Sequence, residues 1–437
     1  MNDYQASMHH NLIIIGAGAS GLMAAVTASD LGIDTAILES NDRIGKKIAM
    51  TGDGRCNITN ESTMTGMDDE VVALSRKYHS SQAEFPLPVL QQFGIRQTIE
   101  FFNMLGLPLT RLKEGFMYPM SLQAASVLDI FELALEERNI PVYLNNKVLD
   151  VTVSTDHPRF KITCRTETEE RVVYTSEYLF LCTGGLTGQN AGTDGSGYAL
   201  AERMGHTLVK PVPAIVQLKV QYPHQKALSG IKLQGRAHIL VNGEVVRSET
   251  GEIHFTEYGF SGPAILQLGR IAAVHLARRD SVTLSVDLMP SRTEEEVIEF
   301  LEMNWGTFAH RAVAESFIGF LHKKLISVLL KEAKIDQEPD LLCQDLSWKT
   351  KGIFYKILKR WNFKVTDTQS FENAQATAGG IATKELVADT LESKLVPGLY
   401  LAGEVMDVDG DFGGYNLQWA WSSGYAAAMA LGKHINR

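Results

Sequence analysis

Three glycines and one acid near the start of the chain carry its clearest chemistry. Gly16, Gly18 and Gly21 lie in Gly16-Ala17-Gly18-Ala19-Ser20-Gly21, a GxGxxG, and Glu39 closes a short apolar run further on. Each answers a separate demand of a bound dinucleotide. Gly16 suits a tight turn, Gly18 lets the backbone approach a pyrophosphate, and Gly21 allows a helix to pack closely on a strand. Ala19 and Ser20 would open a helix whose free N–H groups face the phosphates. Glu39, roughly 20 residues beyond the glycines, is placed to accept hydrogen bonds from a ribose hydroxyl pair, with Ser40 beside it.

A GxGxxG means little without the elements that position it. Leu12-Ile13-Ile14-Ile15 is a continuous apolar run suited to a strand buried on both faces. Ala19 to Leu31 has a helical pattern, and Thr35 to Leu38 reads as a second strand ending at Glu39. Strand, glycine turn, helix, strand and acid follow in order, so the pattern predicts a dinucleotide site.

Two later segments repeat the theme of a buried strand ending in glycine. Leu179-Phe180-Leu181-Cys182-Thr183-Gly184-Gly185 is one, and Gly398-Leu399-Tyr400-Leu401-Ala402-Gly403-Glu404 is the other. After the latter come Asp407 to Asn416, with Gly413-Gly414, and a long helix from Leu417 to about His434. A helix start preceded by two glycines favours negative charge, and a reduced isoalloxazine carries such charge. No second GxGxxG follows the strand at Leu179, so a separate NAD(P)H Rossmann domain is not expected and NAD(P)H would enter only as a diffusible donor. An NAD dehydrogenase would not need chain from both ends around its cofactor. This arrangement points to FAD.

Composition narrows the class. A chain of 437 residues with 45% hydrophobic and 21% charged residues is an ordinary globular protein, too long for one core. The net charge of −10 argues against a nucleic-acid partner. Cys56, Cys164, Cys182 and Cys343 form no CxxC or Cys/His cluster, which favours a reducing compartment and no metal site. Asp407, Asp409 and Asp411 resemble a metal loop but lack a bidentate Glu at the required spacing, so they are expected to be loop and cap carboxylates. No apolar run approaches the roughly 20 residues that span a bilayer, and no basic leader precedes Leu12. A cytoplasmic protein with no membrane partner is expected, its polar Met1–His10 frayed.

The pattern divides into an FAD-binding part (1–206), an inserted antiparallel β-barrel (207–290), a helical domain (291–360) and a return to the FAD-binding part (361–437). In the first part, Asp68 to Leu105 is helical with interruptions at Pro86 and Pro88, and Ser121 to Arg138 is a helix that Ser121 can cap. Phe160–Cys164, Arg171–Tyr174 and Tyr178–Cys182 read as strands of an excursion that leaves the sheet and returns. Barrel strands are expected at 215–220, 237–241, 244–247, 253–256 and 282–287, and Pro263 sits near the first turn of a helix. Helices follow at 294–303, 312–330 and 349–360, then strands at 361–365 and 371–374.

Three motifs make the chain resemble a known family. They are GKKxxxTGxGRCNxTN at Gly45–Asn60, HFTEYGFSGPA at His254–Ala264, and ESKLVPGLYLAGEVMDVDGDFGGYN at Glu392–Asn416. Together they resemble the three-domain bacterial NAD(P)/FAD-dependent oxidoreductases of the aminoacetone oxidase-like type. The resemblance implies an α/β, Rossmann-type FAD-binding domain of the glutathione reductase kind, an inserted β-barrel and a small helical domain, with the ligand cavity where the three meet the flavin ring. It further implies that Gly16, Gly18, Ala19, Ser20 and Gly21 hold the pyrophosphate and Glu39 the adenosine ribose. Lys47, Thr51, Gly54, Arg55, Cys56 and Asn57 would line the path from phosphate to ring, and Val148 would meet the adenine through its backbone. Thr183 and Gly184 would pack on the nucleotide, Gly403 and Glu404 would bind phosphate and ribityl hydroxyls, and Gly414, Tyr415 and Asn416 would cap the ring. The chain departs from the family at Gly184–Gln189, where a Gly-Gly-Lys-Ser run is usual, and at Ser80–Gln91. Both departures bear on substrate.

Flavin performs hydride transfer itself, so no residue is required as a nucleophile. Cys56 is expected to pack in the flavin loop and not to act as a redox thiol. His254 and Tyr258 are the nearest proton-donor candidates, though barrel hydrogen bonding is the commoner role for such residues. The expected activity is oxidoreduction of a small organic molecule, with NAD(P)H or oxygen as redox partner. A flavin-binding sensor or scaffold without turnover is the alternative.

Overall fold

The computed structural model describes residues 8–65 and 69–436. Met1–Ser7, part of the stretch expected to fray, and the expected helix start at Asp68 lie outside the described residues, while Met8–His10 already belong to a strand. The chain divides into two compact units, Met1–Pro211 with Gln375–Arg437, and Val212–Ala374.

The first unit is built on a seven-stranded sheet. Its order is Val142–Tyr143, Thr35–Leu38, Met8–Ile15, Arg171–Leu181, Phe160–Arg165 and Lys147–Val153, with Leu399–Leu401 also paired to Arg171–Leu181. Leu12 to Ile14 are fully buried, as an apolar run without alternation requires of a central parallel strand. The parallel registers pair Ile15 with Leu38 and with Leu181, and Leu181 with Leu401. All four strands therefore end level, and Gly16, Glu39, Cys182 and Ala402 emerge along one edge. Helix Ala19–Asp30 follows the first strand, and helix Tyr415–Ile435 packs along it. A Cβ at Gly21 would collide with the Gly16 carbonyl, and one at Gly424 with the Ser20 carbonyl, so glycine sets how closely these helices approach.

Several local expectations change. Arg171–Tyr174 and Tyr178–Cys182 are one strand, Arg171–Leu181, because Thr175 and Ser176 are themselves buried in the sheet. Its first half pairs antiparallel with Phe160–Arg165 and its second half parallel with Leu399–Leu401, so the excursion shares the sheet's central strand and does not project from it. Pro86 starts helix Pro86–Gln92, where its missing N–H costs nothing. Ser121 bonds the Ser126 hydroxyl at 2.8 Å and does not cap; the helix begins at Ala124.

The second unit contains a closed six-stranded antiparallel barrel in the order Leu218–Gln221, Gly259–Ser261, Glu244–Phe255, Lys232–Val241, Val282–Asp287 and Trp361–Thr368. Ala237, Ile239, Ile253, Phe255, Phe260, Leu284, Val286 and Phe363 belong to its buried apolar core. Helix Pro263–Ala277 carries its proline in the first turn. The helix expected over 312–330 is broken into Val313–Ser316 and Lys323–Glu332. His322 caps the second piece, accepting from the Lys324 N–H at 3.2 Å. Asp287 and Lys359 form a buried ion pair at 2.6 Å, and Lys359 also donates to the Met289 and Arg292 carbonyls. No strand forms at 371–374; the next is Ala376–Ile381, in the first unit.

Candidate functional site

The level strand ends of the first unit open onto one cavity with about 1190 Å³ of atom-free space, its mouth included. Gly16, Ala17, Gly18, Ala19 and Ser20 form one wall at the start of helix Ala19–Asp30. Gly16 has φ +105°, and a Cβ there would sit 2.6 Å from the Cys182 carbonyl, so the turn accepts no side chain. Before Gly18 there is open space, with no atom within 4 Å of where a Cβ would stand.

Glu39 is buried at the end of the second strand and held from both sides. One carboxylate oxygen accepts from the Ala17 N–H at 2.7 Å. The other accepts from the Asn41 N–H at 2.8 Å and the Asn41 side-chain amide at 2.6 Å. Its orientation is thus fixed by the glycine turn it serves. Val148, with Asn146 and Lys147, lines the cavity beside it.

A second polar cluster lies further along. The Lys47 ammonium pairs with the Glu404 carboxylate and donates to the Thr187 hydroxyl at 2.8 Å. Thr187 donates onward to Glu404 at 3.0 Å, and the Thr377 N–H donates to the same oxygen at 2.7 Å. Glu404 is therefore satisfied by protein groups on both oxygens. Thr51, Asn416, Leu417, Ala420 and Gln375 also line the cavity. Thr183 lines it too, and its buried hydroxyl has no hydrogen-bond partner among the described residues.

Of the residues expected from sequence, Gly16, Gly18, Ala19, Ser20, Glu39, Ser40, Lys47, Thr51, Val148, Thr183, Gly184, Glu404 and Asn416 share this cavity. The others are outside its lining. Gly21 and Gly403 are packing glycines, the latter pressed on Ser20. Gly54 is outside the lining, and Arg55 lies over the Tyr118 ring, 5.1 Å from its centre. Cys56 is fully buried, and that burial pushes its thiol up to about 12, where it carries no thiolate. Asn57 and Gly414 pack together against Thr59, and Tyr415 bonds Ser62 at 2.9 Å. The three acids of the metal-like loop are buried; Asp407 accepts from the Ser81 N–H at 3.0 Å and Asp411 pairs with His79 at 3.0 Å, anchoring that loop to the Tyr78–Gln82 segment. Among the described residues no group of three or more His, Cys, Asp or Glu is placed to hold a metal ion, and no helix is long and apolar enough to cross a membrane. His254 and Tyr258 are not in the lining; His254 shares a hydrogen bond with Glu252 in the barrel, and Tyr258 is exposed.

Sequence reasoning passed over Asn41, Thr187, Thr193, Lys147 and Ser196. Asn41 carried a usable signal, since Asn two residues after a strand-end acid can reach back to that acid's carboxylate.

Residues 10–430 match the family described as HI0933-like protein Rossmann domain. The chain belongs to that family. It is 39% identical over 421 residues to the 3-dehydro-bile acid delta(4,6)-reductase of Clostridium scindens, covering 95% of this chain and 98% of that one. It is 29% identical to the ribosomal RNA dihydrouridine synthase of Escherichia coli, covering 96% and 97%. The solved 3-ketosteroid-delta4-(5alpha)-dehydrogenase of Rhodococcus jostii has the same fold, with a TM-score of 0.52, 14% identity and 98% coverage of both chains. The protein is an FAD-dependent oxidoreductase of the HI0933-like family, and its fold is a Rossmann-type FAD-binding domain with a β-barrel insertion.

Proposed function

We propose that this HI0933-like protein reduces a carbon–carbon double bond conjugated to a carbonyl in a small polycyclic molecule of the steroid class, drawing electrons from NAD(P)H. The observation that carries this reading is the 39% identity, end to end, with a delta(4,6)-reductase. FAD, when bound there, would supply the hydride-transfer chemistry that links the nicotinamide to the substrate. The cavity suits that group: it offers open space before Gly18, a helix start for the pyrophosphate, and a preset acid for the ribose.

In this reading Gly16, Gly18, Ala19 and Ser20 hold the pyrophosphate, Glu39 with Ser40 the ribose, and Val148 the adenine. Thr183 donates its unpartnered hydroxyl, with Gly184 beside it. Lys47, Thr51, Glu404 and Asn416 border the remainder. Gly21, Gly54, Arg55, Cys56, Asn57, Gly403, Gly414 and Tyr415 lie outside the cavity lining. Reduction of the double bond adds a hydride at one carbon and a proton at its neighbour, and the overall consumption is one NAD(P)H and one proton per bond.

The relatives named as ribosomal RNA dihydrouridine synthases favour a second reading, reduction of a pyrimidine double bond in RNA. The chain's net charge of −10 opposes it. A small-molecule substrate and no nucleic acid is the reading preferred here. Incubating the flavin-loaded protein with NADH or NADPH and a 3-oxo-4,6-diene steroid, and in parallel with unmodified ribosomal RNA, separates the two. A steroid product carrying two added hydrogens, with RNA unchanged, is the expected result. Dihydrouridine with untouched steroid would overturn it.

A further inference from the structure

We propose that residues 184–195 form a strap over the dinucleotide that must lift for FAD to enter or leave, latched by Asn41, Lys47 and Lys147. The proposal rests on the reading that the cavity holds FAD.

The strap leaves the sheet after Leu181 and ends at helix Ser196–Arg203. Its two ends meet: a Cβ at Gly195 would sit 2.6 Å from Leu186 Cδ2. The segment is therefore a closed loop on a narrow neck, the form of an Ω-loop. Gly184 and Gly195, with φ of +71° and +76°, turn the chain at the neck where a side chain would be strained. Gly184, Ala191, Gly192 and Thr193 contribute lining to the cavity.

Three residues of the opposite lining reach out to it. The Asn41 side-chain amide, which also holds Glu39, donates to the Ala191 carbonyl at 3.1 Å. Lys47 donates to Thr187 at 2.8 Å. Lys147 pairs with Asp194 at 2.6 Å. Burial works against the Asp194 charge, but Lys147 and the Ser196 N–H hold the carboxyl at about 2, so this latch stays ionised. The Asn41 and Lys147 tethers are partly open to water; Thr187 is buried and also donates to Glu404 at 3.0 Å, the Leu186 N–H donates to the Thr377 hydroxyl at 2.9 Å, and apolar anchoring is confined to Leu186 and Ala191. Such a segment can open without breaking the core, as ligand-covering loops do.

The test uses the flavin-loaded protein. Amide hydrogen exchange of residues 184–195 is compared with and without FAD, and FAD release is followed by the gain of free-flavin fluorescence on dilution. FAD should slow exchange in the strap more than in strand Met8–Ile15. Thr187→Val removes two charge-assisted hydrogen bonds, one from Lys47 and one to Glu404, and should speed release by about tenfold or more. Asp194→Asn, at an exposed site, should speed release by roughly two- to fivefold at low salt, an effect that fades at high salt. Unchanged release in both variants, or strap exchange indifferent to FAD in a protein that binds it one to one, would overturn the strap alone. A protein that binds no FAD would overturn the strap and the FAD reading together.

Discussion

Two glycine-rich segments of the first unit, Gly16–Gly21 and Gly410–Gly414, look alike in sequence and differ at one position that faces the cavity, Gly18. At Gly18 a side chain would project into empty space. At Gly413 it would meet Phe116 at 2.9 Å, and at Gly414 the Thr59 carbonyl at 2.9 Å. Gly410 is filled from its own chain, its N–H and carbonyl both bonded by Asn416 at 2.9 Å. Gly18 of the first segment leaves room for a ligand, whereas Gly16, Gly21 and the glycines of the second segment are taken up by the protein's own packing. Glycine in a sequence marks a close approach without saying what approaches.

That contrast can be broken by substitution. Gly414→Ala should be the most damaging, because φ is +99° and Thr59 stands in the way. Strain and overpacking together should cost about 2–6 kcal/mol of stability, read as a lower urea midpoint of the apoprotein. Glu39→Ala should weaken FAD binding by about 1.5–3 kcal/mol, roughly tenfold to a hundredfold. Full flavin content after long dialysis would count against that role. Gly18→Ala should leave the apoprotein's urea midpoint unchanged and cost about 1–3 kcal/mol in FAD affinity. The reverse pattern, a lower midpoint with FAD affinity intact, would erase the distinction between the two segments.

The smallest effect concerns a site remote from both. His206 is buried, bonded to Glu385 at 3.2 Å and Ser393 at 2.9 Å. Burial holds its imidazole below the ordinary value, with Glu385 pulling the other way. The unfolded chain takes up this proton near pH 6.5 and the folded chain only at lower pH. Stability is therefore untouched above about pH 6.5 and declines as pH falls from there toward the folded value. His206→Gln should flatten that part of the curve in urea titrations run at stepped pH.

Much of the fold was legible because it rests on local pattern. The apolar run at Leu12–Ile15, the strand at Thr35–Leu38 and the helix between them fall where periodicity puts them. Continuity was harder. Thr175 and Ser176 look like a break in sequence, and only their burial between neighbouring strands shows Arg171–Leu181 to be one strand. The break of the 312–330 helix depends on side-chain capping by His322, which no periodicity displays. At the site, Gly16, Gly18 and Glu39 were readable because each is demanded by backbone geometry at fixed spacing. The Arg55–Asn57 stretch has a distinctive motif, and in the fold Cys56 is sealed in the core, as a packing residue would be, while Arg55 rests on Tyr118. Thr187 and Lys147 stayed hidden because their partners Glu404 and Asp194 are distant in sequence.

The most direct test of the central claim is rapid mixing of the flavin-loaded protein with NADH or NADPH without oxygen, followed by a second mix with a 3-oxo-4,6-diene steroid. The account requires the oxidised-flavin absorbance to bleach with a nicotinamide and to return when the steroid is added, still without oxygen. A flavin that neither nicotinamide bleaches, or that once reduced is reoxidised by air and not by the steroid, would contradict it.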